Sequence, residues 1–175
     1  MGSGSALGDD GRRFVIQLDP MTREECRAFL AWAAEDYARE QVKAGAWAAK
    51  EAPRLAKRAI SALLPQGNDT PGHFLSVIRR TGDGQPVGSL WFAVREEGGR
   101  RFAAVYNIVI LEAHRRCGYG AAALRAMEKK VRDAGLSDVA LHVFAHNHAA
   151  RALYRKLGYV ERSLMMAKHL DDPAA

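Results

Sequence analysis

The chain has 175 residues, 48% of them apolar and 26% charged, a balance that suits one globular domain with its own core. A formal charge of +6 favours anionic partners: nucleic acid, an anionic membrane or a phosphate-bearing small molecule. Two cysteines, Cys26 and Cys117, make neither a disulfide framework nor a metal-type cluster, and no apolar run approaches the roughly 20 residues of a membrane span.

Residues 1–12 are rich in Gly, Ser and Asp, lack the apolar core of a signal peptide, and are expected to be disordered. The expectation is therefore a cytoplasmic protein with no membrane association and a single domain over 13–171. A short strand is predicted over 14–18. Thr22 with Glu25 three residues on is a capping-box signature, opening a helical stretch to about Lys43 that Gly45 should stop. Residues 46–64 form a second helical stretch. Pro53 fits only near its first turn, so that helix should begin close to Ala52. Residues 65–72 have loop composition. Strands are predicted over 74–79, 87–94 and 102–111, joined by Gly-rich turns, which reads as an antiparallel meander. The spacing of Leu124, Met127 and Val131 predicts a helix over 121–132, with Gly135 as its stop. A strand over 139–145, a helix over 148–157 and a final strand over 159–167 complete a mixed α/β pattern with one continuous sheet.

The chemistry concentrates between the third meander strand and the helix after it. There the sequence reads Arg115-Arg116-Cys117-Gly118-Tyr119-Gly120. A helix start presents unpaired N–H groups and the positive end of the dipole, and glycines keep side chains away from them. Two arginines add formal charge, so a pyrophosphate is a natural guest. The same glycines also suit a plain strand-to-helix turn. One helix dipole contributes only about 0.3–1 kcal/mol, so several aimed N–H donors must supply most of the affinity. No Gly-Lys-Ser/Thr follows, which excludes a P-loop. The preceding strand is not the first of a βαβ unit, which argues against a dinucleotide fingerprint.

A second constellation lies downstream. Asn147 and Tyr154 are close to two helical turns apart and can point the same way. A tyrosine hydroxyl, with a pKa of about 10, is a proton donor at neutral pH. Asn147 also suits a helix N-cap, and Tyr154 also suits a half-buried aromatic position. His142, His146 and His148 alternate but lack the acidic or Cys company of a zinc site, so no metal is expected. No interleaving of basic and aromatic residues points to nucleic acid. Trp32, Tyr37, Trp47 and His73 are candidates to shape an acceptor pocket.

Together the two constellations resemble the GNAT superfamily of acyl-CoA-dependent N-acyltransferases. Ile108-Val109-Ile110 followed by Arg115-x-x-Gly118-x-Gly120 is similar to its motif A. Asn147 followed by Ala152-Leu153-Tyr154-Arg155-Lys156-Leu157-Gly158-Tyr159 is similar to its motif B. The resemblance implies an α/β (α+β) fold: a central mixed, mostly antiparallel sheet flanked by helices, with a splayed strand pair for the pantetheine arm. It implies acetyl-CoA as co-substrate. The backbone of Ile108 and Ile110 would pair with the pantetheine, and Arg115, Arg116, Cys117, Gly118, Tyr119, Gly120 and Ala121 would wrap the pyrophosphate. Asn147 would bond to the cofactor, and Tyr154 would act as general acid toward the thiolate. An amine of a small molecule or peptide would attack the thioester directly, with no acyl-enzyme. A homodimer is a further expectation. No general base is evident: Asn107 cannot take a proton, and Glu112 and His114 are merely close in sequence. The reading from a different class is a non-catalytic acyl-CoA-binding module.

Overall fold

The sheet is built by local pairing. In the computed structural model, which describes residues 3–7 and 13–168, six strands lie in sequence order. They are β1 (Ser3–Leu7), β2 (Arg13–Pro20), β3 (His73–Arg80), β4 (Pro86–Glu97), β5 (Arg100–Ile110) and β6 (Val139–Leu141). Every neighbouring pair is antiparallel except β5 and β6, which are parallel. Short turns join β3 to β4 and β4 to β5. Helix α3 (Tyr119–Asp133) makes the crossover that a parallel pair requires. Helices α1 (Arg23–Lys43), α2 (Ala52–Leu63) and α4 (His148–Lys156) complete the domain.

Strand alternation sorts the core onto two faces. On one face Ile78, Leu90 and Phe92 pack with Ala122, Ala123, Leu124 and Met127 of α3. On the other, Leu75, Val77 and Trp91 pack with Cys26, Phe29 and Ala33 of α1 and Ile60 of α2. The alanines let α3 lie close to the sheet, so its N-terminus sits beside the end of β5.

The helix signals hold in detail. Thr22 caps α1: its hydroxyl accepts from the Glu25 N–H at 3.2 Å, and the Glu25 carboxylate accepts from the Thr22 N–H at 2.9 Å. Gly45, at φ +70°, follows the end of α1, and Pro53 falls in the first turn of α2.

Three expectations need correction. The segment expected to be disordered contains β1, which pairs with β2 from Ser3↔Gln17 to Leu7↔Arg13. Composition reports side chains, whereas the free edge of β2 offers backbone groups to any short segment beside it. Residues 1, 2 and 8–12 of that segment lie outside the described residues. The strand expected over 139–145 is confined to Val139–Leu141. Its last pair is Val105↔Leu141, and the next residue of β5, Tyr106, is an extra residue opposite the Trp91/Phe92 step of β4. Such a bulge bends its strand and raises the local twist, so the two chains part there. The final strand expected over 159–167 has no regular structure and no ladder partner among the described residues.

Candidate active site

Parting of β5 from β6 at the bulge leaves one edge of β5 open along residues 106–110. Leu111 donates its N–H to Val87 O at 2.9 Å on the β4 side. Alternation then turns the backbone groups of Val109 toward β4 and those of Ile108 and Ile110 toward the open edge. Arg115 Nε donates to Ile110 O at 3.2 Å, which ties the following loop back to the strand. The close approach of β4 and β5 here depends on Gly88. A Cβ at that position would come within 2.2 Å of Val109 O. Gly88 carried no functional signal in the sequence.

The loop after β5 is a 3-10 turn, Glu112–His114, and then a tight curl. Arg116 (φ +59°) and Gly118 (φ +80°) are both left-handed. Left-handed geometry at the non-glycine Arg116 is strained by about 1–2 kcal/mol. Successive N–H groups in such a curl converge into an anion-binding concavity. Gly118 is the N-cap of α3; no side chain caps that helix, and its first turn holds no acidic residue. The N–H groups of Gly120 and Ala121 are thus left for another acceptor. A helix start left in this way accepts an anion.

Individual residues fall into different roles. The Tyr119 ring is buried in the core and meets His114 edge-on at 6.2 Å. Gly120 answers to packing: a Cβ there would lie 3.2 Å from Leu153 Cδ2 and 3.7 Å from Ile110 Cγ1. Cys117 is half-buried, with Sγ 3.4 Å from Arg115 O. Asn147 is the N-cap of α4, its Oδ1 accepting from the Ala150 N–H at 3.1 Å, which leaves Nδ2 as its donor. Tyr154 is buried on α4, and burial pushes its hydroxyl above the ordinary tyrosine range. The Asn107 Oδ1, one residue past the bulge, is buried without a hydrogen-bond partner among the described residues.

Two features escaped sequence reasoning. His146 Nε2 lies 2.5 Å from Glu40 Oε2 of α1. His142, Phe144 and His146 form a row of ring contacts at 5.0 and 5.4 Å, on the lip opposite β5. A separation of 106 residues left Glu40 with no local signal. The second feature is a stack: Trp91 and Tyr106 lie 4.7 Å apart, His73 and Tyr106 5.7 Å apart, and Trp91 Nε1 donates to His73 Nδ1 at 3.0 Å. Burial, with a smaller effect from Arg95, lowers the pKa of His73. Tyr37 and Trp47 meet edge-on at 5.3 Å where α1 gives way to α2, a packing contact. A groove of about 530 Å³ between α1 and α2 is lined by none of the candidate residues.

Comparison with known proteins agrees with this fold. The model of the acetyltransferase (GNAT) family matches residues 41–159. Two Bacillus subtilis proteins named as uncharacterized N-acetyltransferases, YycN and YdgE, are 38% and 34% identical over 156 residues; each match covers 89% of this chain and 99% of the relative. The crystal structure of YycN superposes with a TM-score of 0.83, covering 89% of this chain and 98% of that one. A predicted acetyltransferase of Clostridium acetobutylicum, crystallised with acetyl-CoA, shares the fold at TM-score 0.61 and 11% identity, covering 89% of this chain and 96% of that one.

Proposed function

The chain belongs to the GNAT family of acetyltransferases, and from that premise we propose that it moves the acetyl group of acetyl-CoA to a primary amine of a small molecule or peptide. Its N-acetyltransferase relatives at 34% and 38% identity make it an enzyme rather than a non-catalytic acyl-CoA-binding module. The observation that carries the cofactor reading is the continuity of the open β5 edge with the uncapped start of α3.

In this reading the backbone groups of Ile108 and Ile110 pair with the pantetheine amides. The curl from Arg115 to Ala121, including Arg116, Cys117, Gly118, Tyr119 and Gly120, holds the pyrophosphate through backbone N–H groups, with Arg115 and Arg116 adding charge. Asn147 Nδ2 donates to the cofactor. When bound, acetyl-CoA supplies a thioester carbonyl open to direct attack by an amine. Tyr154 keeps its proton at neutral pH as any tyrosine does, burial shifting its pKa further upward, and it gives that proton to the departing sulfur. Asn107 has no basic site, so the amine loses its proton to water. Bond for bond, one C–N bond forms and one C–S bond breaks, and Tyr154 is reprotonated from solvent. Cys117 needs no nucleophilic role. Among the described residues no helix is long and apolar enough to cross a membrane. Cys26 and Cys117 are unpaired, as a reducing, cytoplasmic setting would leave them.

The test is release of CoA thiol from acetyl-CoA across a panel of primary amines, repeated with Tyr154→Phe. The expected result is turnover with at least one amine, and loss of most of that turnover in the variant with CoA binding retained. Unchanged turnover in Tyr154→Phe would remove that residue from the mechanism.

A further inference from the structure

One titratable pair stands outside the residues assigned to the cofactor. His146 Nε2 lies 2.5 Å from Glu40 Oε2, and the two side chains are 26% and 27% exposed, so solvent reaches both. An ionised carboxylate only accepts hydrogen bonds, so Nε2 carries the proton and donates it to Glu40. In the neutral ring the free lone pair is then on Nδ1. Among the described residues Nδ1 makes no hydrogen bond. The ring is held in place from several sides. It stacks on Phe144 at 5.4 Å. Arg151 Nη1 donates to Ala145 O at 3.1 Å, the Asn147 N–H donates to Phe144 O at 2.9 Å, and the His148 N–H donates to His146 O at 3.0 Å.

The topology sets this base across the opening from Asn107. Helix α1, which carries Glu40, covers the face of the sheet that holds Trp91. Asn107 stands opposite Trp91 in the β4–β5 ladder and therefore projects to the same face. The opening between β5 and residues 142–147 thus has Asn107 on one wall and His146 on the other, both on the α1 side. We propose that His146 is the proton acceptor of the acetyl transfer and that Glu40 is its positioning residue. The proposal rests on the acetyl-transfer reading. As the amine nitrogen bonds to the thioester carbon it gains positive charge, and its N–H becomes acidic. That proton passes through a water to His146 Nδ1, where a lone pair is aimed by the bond from Nε2 to Glu40. The C–S bond breaks, and the sulfur takes its proton from Tyr154. The imidazolium, stabilised by the Glu40 carboxylate, then returns its proton to the solvent that reprotonates Tyr154. Over the cycle one proton leaves nitrogen and one arrives on sulfur. Asn107, without a basic atom, leaves this task to the opposite wall.

The same pair could serve only to tie α1 to the lip, and steady-state kinetics with acetyl-CoA and the fastest amine of the panel separate the two roles. His146→Ala should lower kcat by about 100-fold or more, the usual contribution of a general base, with acetyl-CoA affinity retained. His146→Gln keeps an N–H donor for Glu40 and so keeps the tie, but it has no basic atom. It should be as impaired as His146→Ala. Added imidazole should restore part of the turnover of His146→Ala and leave the wild type unchanged. Glu40→Gln should lose less than His146→Ala, and imidazole should not repair it. Full turnover in His146→Ala, recovery in His146→Gln, or no rescue by imidazole would each overturn the role of His146 and leave acetyl transfer standing. Wild-type turnover in Glu40→Gln would overturn the positioning role. A wild-type chain that acetylates no amine of the panel would overturn acetyl transfer and this proposal together.

Discussion

Gly118 and Gly120 stand two residues apart in the curl but serve different physical ends, and alanine substitution separates them. Gly118 sits at φ +80° and ψ −4°, in the left-handed region. An alanine Cβ there costs about 1–2 kcal/mol from crowding against the next carbonyl. For a domain of this length that lowers Tm by roughly 2–8 °C. Gly120 is the second residue of α3, where Gly→Ala gains at most the roughly 0.8–1 kcal/mol of a helix interior. Its new Cβ would meet Leu153 Cδ2 at 3.2 Å, a contact with the far end of a flexible side chain that can move by a few tenths of an ångström. The two effects roughly cancel, so Gly120→Ala should change stability by less than about 1 kcal/mol. Calorimetric melting reads the stabilities, and titration with CoA reads the affinity. Gly118→Ala should lose both stability and affinity, because uncurling the loop re-aims the N–H groups. Gly120→Ala should keep most of both. A Gly120→Ala variant less stable than Gly118→Ala would refute the assignment of strain to one glycine and packing to the other.

Other consequences are equally specific. Gly88→Ala places its Cβ 2.2 Å from Val109 O, a backbone atom that cannot rotate away. Its loss should exceed the 1–3 kcal/mol typical of overpacking (about that range in most cores), read by urea unfolding or as failure to accumulate folded protein. Leu124 is fully buried against the sheet, and Leu124→Ala should cost about 2–5 kcal/mol in the same assay. Thr22→Ala should cost about 0.5–2 kcal/mol through the lost cap. The backbone N–H of Thr22, then its hydroxyl and Arg79, hold the Glu25 carboxyl below its ordinary range. Because the native pKa is the lower one, that stabilisation is complete above the unfolded value of about 4.3 and is lost as pH falls through the native value. Glu25→Gln should therefore approach wild-type stability only in acid, a trend that unfolding curves at successive pH values measure.

Much of this architecture was legible because its causes are local. Thr22 and Glu25 announce the start of α1 through hydrogen bonds three residues apart, and Pro53 marks the first turn of α2 by its missing N–H. The glycines of the curl, between a strand and a helix stripe, pointed to the loop that the structure places at the end of β5. What stayed hidden depends on distant partners. The strand predicted over 139–145 stops at Leu141 because of a bulge at Tyr106, a residue on another strand. Gly88 looks like any strand glycine until Val109 O is set against it. Glu40 meets His146 only after the whole sheet has formed. The segment over 159–167 reads as a strand because its pattern is that of one, and among the described residues it has no ladder. Asn147 carried two readings, and its side chain has room for both: Oδ1 caps α4 while Nδ2 points to a further acceptor.

One continuous surface, the open edge of β5 joined to the start of α3, is the proposed seat of acetyl-CoA. Amide hydrogen exchange, read residue by residue with and without acetyl-CoA, tests it most directly. The N–H groups of Ile108, Ile110, Gly120 and Ala121 should exchange more slowly with the cofactor bound, while those in the first turn of α1 keep their rates. Binding that protects other amides and leaves these four unchanged would contradict that seat.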